Sequence, residues 1–375
     1  MPDDPPPPRG WPSGFGSGAD ERRAVLVLSE LRGLRPLQLH GAAWRTGSAV
    51  ACLGAVRAGE LGSARDRAWV ERVDVAATEA ALASCGARVV TPSDPEYEDP
   101  LNDLPDPPAA LFLLGRPLAG QDARVAIVGA RRCTALGRDV AEDLARALVA
   151  SGLGVVSGAA HGIDAAAHRG ALQAGGRTVA VLGSGIDVHY PASNRELIAR
   201  VSEHGTVVSE YPPAVPAEAH RFPARNRIVV ALARALVVVE GTARSGSRIS
   251  VDHALDIGRE VFAVPGPVNS PLAETPLEMI REGATLIRGA DDLLHDLGID
   301  PVAAPRPPPP DLDPDERCVW SALALATLPD AIAREAGMAI ADAVTALIRL
   351  ELRGLVASEG GRYERRHAAT AAARS

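Results

Sequence analysis

Four glycine-rich segments carry the residues best suited to chemistry. They are Gly129-Ala130-Arg131-Arg132, Ser157 to Asp164 (SGAAHGID), Gly183 to Asp187 (GSGID) and Glu240 to Ser247 (EGTARSGS). Small residues let an anion approach the backbone, and a helix that follows offers free N–H groups and its positive dipole end. Arg131 and Arg244 add guanidinium groups that fork onto phosphate. One such turn is ordinary in any tight connection; several, two of them carrying Arg, describe a phosphate-binding rim. A fifth segment, His220 to Arg227 (HRFPARNR), sets Arg225, Asn226 and Arg227 behind Pro223, which suits the first position of a helix. Cations in a first turn oppose the helix dipole unless an anion sits there. The alternative is a buried Arg paired with an acid such as Glu210 or Glu240. Phe222 beside them offers a face for a base, or packs into the core.

Other chemistries are disfavoured. The first turn is not G-x-G-x-x-G, because an Arg stands where the second glycine should be, so no dinucleotide cofactor is expected. GxxxxGK[ST] is absent, which excludes a P-loop NTPase. Asp164 and His168 stand at i and i+4 and, with His161 nearby, could share a metal. Asp164 equally fits an N-cap or first-turn carboxylate, and no further Cys, His or Glu completes a ligand set, so no metal is expected. The serines lie outside G-x-S-x-G, and no nucleophile–base–orienter arrangement is evident.

The turns must be positioned by the elements around them. Apolar β-type runs lie at 124–129, 153–157, 177–183, 205–209, 235–240 and 260–264. Helical patterns fall between and after them, at 138–151, 163–174, 193–203, 224–233, 247–258 and 274–282. Continuous apolar strands separated by crossover helices predict an α/β fold: a doubly wound, mostly parallel, Rossmann-like sheet covered on both faces. In such a sheet ligands bind beyond the carboxyl ends of the strands, where the glycine-rich turns lie.

With 375 residues the chain exceeds one ordinary core. Residues 1–20, rich in Pro, Gly and Asp, predict a disordered tail. Residues 21–86 read as short amphipathic helices (ERRAVLVLSELRG, LQLHGAAWR, GSAVACLGAVRAGE and DRAWVERVDVAATEAALASCG), a small N-terminal domain of the SAM or helix-hairpin-helix kind. Strands at ARVV and ALFLLG flank an acidic, proline-rich stretch and open the α/β domain over 87–298. A proline-rich linker over 299–314 precedes a compact unit at 315–366. Its helix at 315–326, a second after Asp330 as N-cap, a third at 340–353 and two strands around Gly360-Gly361 follow the winged-helix order. The third helix offers mostly Ala, Leu and Ile, with Arg349 and Arg353 for phosphates, so a sequence-specific repressor is disfavoured. Residues 367–375 form a tail.

Charge is unevenly placed. The net charge is −8, and all 39 basic residues are Arg. None can therefore be deprotonated, and each can fork onto phosphate or carboxylate. Residues 94–106 carry six acids and no base, while 124–138 and 221–248 hold four and six Arg with Glu240 as the only acid. No apolar run approaches the ~20 residues that span a bilayer; the best, 228–239, is interrupted by Arg234. The acidic, proline-rich N-terminus has no secretory pattern, and Cys52, Cys85, Cys133 and Cys318 are too far apart in sequence for a disulfide framework, which predicts a cytoplasmic protein.

Taken together, VAIVGARR, SGAAHGIDAAAHRGAL, AGGRTVAVLGSGIDVHYPASN, VVSEYPP, FPARNRI, VVVEGTARSGSRIS and GREVFAVPGPV resemble the DNA-processing protein A family (DprA, also Smf) over residues 88–297. The flanks look like that family's helical N-terminal extension and C-terminal winged helix. The resemblance implies a non-catalytic homodimer that binds single-stranded DNA without sequence preference. It also implies protection of DNA and loading of RecA recombinase onto it during natural transformation. By motif position, Arg131 falls at the arginine of the GSR turn, and Ser157, Gly158, His161, Gly162 and Asp164 fall in the SG-x-A-x-GID loop. Gly183 and Gly185 belong to the next turn, Phe222, Arg225, Asn226 and Arg227 match FPxRNR, and Arg244, Ser245, Gly246 and Ser247 match RSGS. The chain departs from the pattern at His161, where Arg is common, and at Ala192, where Lys is common. Ala130 replaces Ser, and Arg248 replaces an apolar residue. Two missing cations imply weaker or more salt-sensitive binding unless His161 or Arg248 compensates.

Two other classes compete. A nucleoside-monophosphate phosphoribohydrolase on a similar fold would carry PGGxGTxxE; here Pro265-Gly266 does not continue that way, and Glu240-Gly241-Thr242 is the nearest echo. A winged-helix transcription regulator would prefer one duplex sequence.

Overall fold

The computed structural model describes residues 8–118, 123–243, 245–299, 311–323 and 327–365. The chain divides into a larger unit, holding the N-terminal helices and the main sheet, and a smaller one built on residues 311–365.

Five helices open the larger unit: α1 (Gly18–Ser29), α2 (Pro36–Thr46), α3 (Ala49–Ala58), α4 (Ala64–Val70) and α5 (Val75–Cys85). In α1 Ala24 to Leu28 are buried in succession, so the C-terminal half of the helix is enclosed on all sides. The stretch read as one helical segment over 66–86 is two helices, because Asp74 starts a new one by accepting from the free N–H groups of Ala76 and Ala77. The disorder expected for residues 1–20 does not extend over 8–20. Phe15 is fully buried, Trp11 stacks on it with centroids 4.4 Å apart, and Trp44 Nε1 donates to Gly10 O at 2.9 Å. Two aromatic anchors outweigh a composition that reads as disordered.

Among the described residues nine strands follow: β1 (Arg88–Val90), β2 (Leu111–Gly115), β3 (Arg124–Val128), β4 (Gly154–Ser157), β5 (Thr178–Leu182), β6 (Thr206–Ser209), β7 (Ala235–Val238), β8 (Glu260–Ala263) and β9 (Thr285–Leu286). Among them run α6 (Ala135–Ala150), α7 (Ile163–Gln173), α8 (Arg195–His204), α9 (Arg221–Ala231), α10 (Gly246–Asp256) and α11 (Glu274–Arg281), and α12 (Ala290–Asp296) comes last. They form one sheet in the order β1-β2-β6-β5-β4-β3-β7-β8-β9. The seven strands from β6 to β9 are parallel, and β2 joins β6 antiparallel. Every residue of β3, β5 and β7 is buried, as a sheet covered on both faces requires. The chain leaves β3 toward β4, β5 and β6, then returns to its other side with β7, β8 and β9. The switch of direction between β3 and β7 opens a crevice at their carboxyl ends.

The N-terminal helices share a core with this sheet: Phe112, Leu182, Ile198 and Val207 belong to the same apolar cluster as Val25, Leu39 and Val56. The boundary expected at residue 86 therefore does not separate two cores. β9 and α12 had no counterpart in the sequence pattern; a two-residue strand has no alternation to read.

The smaller unit contains α13 (Pro314–Ala322), α14 (Pro329–Ala336), α15 (Ile340–Leu352) and an antiparallel pair, β10 (Val356–Glu359) and β11 (Arg362–Arg365). This is a winged helix around Val319, Ile332, Leu347 and Leu350. Its first helix ends at Ala322 rather than 326, with 324–326 outside the described residues. The N-cap of α14 is Leu328 rather than Asp330, because Pro329 takes the first helical position. Leu312, within the expected linker, is buried in this core, and 300–310 lie outside the described residues. Arg349 and Arg353, expected to reach phosphates, face Asp313 and Glu316 instead. No helix among the described residues is long and apolar enough to cross a membrane.

Candidate nucleic-acid interface

A cavity of about 360 Å³ occupies the crevice at the switch point. Its walls come from Gly129 to Arg132 after β3, Gly158 and Ala160 after β4, Phe222, Pro223, Arg225 and Asn226 on α9, and Thr242 and Ser245 to Ser247 after β7. The first turns of α7, α9 and α10 all meet it. Gly162 and His220, which precede α7 and α9, provide no side-chain cap, whereas Ser245 caps α10 by accepting from Ser247 N. Uncapped N–H groups and three dipole ends on one cavity favour an anion.

Among the described residues, Arg131 and Arg132 are the exposed cations of this wall. The Arg131 guanidinium lies over the Phe222 ring at 5.1 Å, and Tyr190 sits against Phe222 at 5.3 Å. The result is a row of cation and two rings at the mouth.

Arg225 is part of the floor, not the surface. It is 3% exposed, donates from Nη1 to Val181 O and from Nε to Asn226 Oδ1 at 3.1 Å, and lies 4.0 Å from Asp164. Burial pushes its pKa down to about 10 against the opposing pull of Asp164. Burial likewise raises Asp164, opposed by Arg225 and by the Ala160 N–H. α9 starts at Arg221, two residues before Pro223. The proline is tolerated there because first-turn N–H groups lack helical partners anyway.

Arg227 does not join the interface. Its guanidinium is 3% exposed, with Glu210 at 2.7 Å and Asp106 at 3.1 Å, and these two acids overcome the effect of burial and hold it charged. The carboxylate alternative applies to this residue. Other candidates are also structural. Ser157 is fully buried and donates to Ile127 O at 2.6 Å, tying β4 to β3. Gly183 and Gly185 are buried packing positions: a Cβ at Gly183 would press on the Phe222 ring, and one at Gly185 on the Pro212 and Val215 backbone. Gly162, at φ +75°, lies close to the Ala130 and Arg131 carbonyls, while His161 is exposed, 3.5 Å from Ser193. Asn226 ties α9 to α10 by donating to Gly246 O at 3.2 Å, and Ser247 is buried, donating to Ser245 Oγ at 2.7 Å. Arg244 lies outside the described residues.

Sequence reasoning gave no role to two contributors. Arg132 was visible beside Arg131. Asn194 was not: its Nδ2 donates to Ala159 O at 3.0 Å and Ala160 O at 3.1 Å, across a span of 35 residues. It braces a loop in which Ala159 adopts φ 54°. His168, weighed as a ligand, is instead fully buried against Thr178.

Fold and cavity together define a Rossmann-like α/β protein with an anion-suited crevice at the topological switch, carried on the same chain as a winged helix. Family models agree: DNA recombination-mediator protein A matches residues 88–298, and the DprA winged helix domain matches 302–362. The chain belongs to the DNA recombination-mediator protein A family. Protein Smf of Synechocystis is 36% identical over 317 residues, covering 74% of this chain and 80% of its own. The structure of DNA processing protein A from Streptococcus pneumoniae matches with a TM-score of 0.64 at 31% identity, over 74% of this chain and 97% of that one. A structure of DNA processing protein A from Helicobacter pylori, described for its single-stranded DNA binding mode, matches with a TM-score of 0.52 at 28% identity, over 56% and 95%.

Proposed function

We propose that this chain binds single-stranded DNA without sequence preference, with phosphates along the carboxyl ends of β3, β4 and β7 and bases against Phe222 and Tyr190. The carrying observation is that the first turns of α7, α9 and α10 share one cavity with the exposed Arg131 and Arg132. Backbone amides and guanidinium groups read charge, not base identity, so the binding is indifferent to sequence and sensitive to salt. Membership in the family supports the rest of the role: a cytoplasmic homodimer that shields incoming strands and passes them to RecA during natural transformation. The role is binding and hand-over, with no bond made or broken. Anisotropy titrations of oligo-dT, a mixed-sequence strand and duplex DNA at several salt concentrations test the first part. Similar affinity for both single strands, above that for duplex, is expected; preference for one duplex sequence overturns it. Strand exchange by RecA, with and without the protein, tests the second, and sedimentation tests the dimer.

A further inference from the structure

Residues 31–73 carry seven Arg against three acids, in a chain of net charge −8. They precede the region matched by the family model, and the cavity at the switch point leaves these cations unused. Four of them gather at the α3–α4 corner. Arg57 lies at the end of α3, Arg65 and Arg67 on α4, and Arg72 just beyond it. All four are exposed, and none forms an ion pair among the described residues. Elsewhere Arg22, Arg88, Arg124, Arg227 and Arg248 each face a carboxylate.

The corner is built to turn its positive charge outward. Asp66 is 2% exposed, and its carboxylate accepts from Gly33 N at 2.9 Å, Ser63 N at 2.8 Å and Ser63 Oγ at 2.6 Å, so that acid is spent inward. Glu60 and Glu71, the other two acids, are exposed and unpaired with these Arg. Gly59, at φ +80°, leaves room for Arg67: a Cβ there would lie 2.6 Å from Arg67 Nη1, so the guanidinium lies over the turn. Asp66 and Val70 form the inner face of α4, leaving Arg65 and Trp69 on the outer one. The Trp69 indole is 44% exposed. Arg72 folds back to the end of the same helix, its Nε donating to Ala68 O at 2.9 Å.

An open indole between unpaired guanidinium groups combines a ring for a base with cations for phosphates, the pairing that holds single strands. We propose that the α3–α4 corner is a second contact for single-stranded nucleic acid, distinct from the cavity and engaged by strands long enough to reach both. It rests on the reading of the chain as a single-strand binder and extends the length of strand that one chain holds.

The test compares the full chain with Arg65→Ala/Arg72→Ala and with Trp69→Phe, on oligo-dT of roughly 10 and roughly 50 nucleotides; the shorter is near the site size of one small binding domain. All three positions are exposed, so unchanged melting is the folding control. The double variant should lose about 10-fold in affinity for the long strand at 150 mM salt, with a salt slope smaller by about 1.4, and hold the short strand as before. Trp69→Phe should abolish the part of the indole quenching by poly-dT that comes from the corner. Wild-type affinity for the long strand, with quenching unchanged, overturns the proposal and points to a protein partner for this face. Arg131→Ala separates the two sites: loss at both lengths supports the cavity. No loss at either, with the corner variants still impaired on the long strand, removes the cavity and leaves the corner standing.

Discussion

The Arg225 guanidinium lies against Gly158 so closely that a Cβ at that position would overlap it. The same group donates to Val181 O and faces Asp164, so one buried cation ties together the ends of β4 and β5 and the first turn of α7. Gly158→Ala has nowhere to put its methyl except into this junction. Overpacking of this kind costs about 1–3 kcal/mol. We expect a lower melting temperature, by about 2–4 °C per kcal/mol, and weaker single-strand binding as Arg225 is pushed into the cavity. Unchanged melting and binding would mean that the loop yields freely and that Arg225 does not depend on it.

Arg131 and Arg225 line one cavity but should fail differently. Arg131 is exposed, so Arg131→Ala should leave melting nearly unchanged. It should flatten the salt dependence of single-strand binding by about 0.7 for each phosphate that the guanidinium neutralises. Arg225→Ala removes the cation that faces Asp164 and the hydrogen bonds to Val181 O and Asn226 Oδ1, so its melting temperature should fall clearly. Its binding should weaken through the damaged floor, with little change in slope. A reduced slope with intact melting in Arg225→Ala would instead make that guanidinium a direct phosphate ligand.

The strands were legible because parallel strands buried on both faces are continuous apolar runs, and VAIV, TVAVL and ALVV are just that. The crevice was legible too, since each turn beyond them is marked by glycine. What the pattern left open was which Arg faces a phosphate and which a carboxylate. Arg225 and Arg227 sit two residues apart in one motif, yet the acids that claim Arg227 are 17 residues upstream at Glu210 and far back at Asp106. Only the tertiary fold brings them together. The order of residues 8–20 was hidden for a similar reason: Trp11 and Phe15 are two anchors in a stretch whose average composition denies a core.

Asn194 makes a separate prediction. Its amide donates to two successive carbonyls of the loop that carries Gly158 and His161, and the φ of 54° at Ala159 is a left-handed conformation that non-glycine residues adopt at a cost. Asn194→Ala removes both hydrogen bonds at an 8% exposed site and should cost about 1–3 kcal/mol. Single-strand affinity should fall with it, because the loop that forms one wall of the cavity is released. Thermal melting with an anisotropy titration checks both. Full affinity in a destabilised variant would separate the brace from the interface.

Acid should weaken the fold through His168. Thr178 Oγ1 donates to Val155 O at 3.0 Å, so His168 Nδ1 must be the donor to Thr178 Oγ1 at 2.7 Å, leaving Nε2 bare and without a partner among the described residues. Burial, then Arg225 and Arg169, push the His168 pKa down to about 3. The unfolded chain takes up a proton below about pH 6.5 while the native ring stays neutral, so the unfolded state gains as pH falls. This group's contribution is intact above pH 6.5 and is lost progressively toward pH 3, at about 1.4 kcal/mol per pH unit. His189 and His253, also lowered by burial, act in the same direction, so the comparison must be made against His168→Gln rather than on the wild type alone. Between pH 7.5 and 5.0 in urea denaturation, wild type should lose about 2 kcal/mol more than His168→Gln. Equal losses would mean that the ring gains its proton in the folded protein as readily as in the unfolded chain.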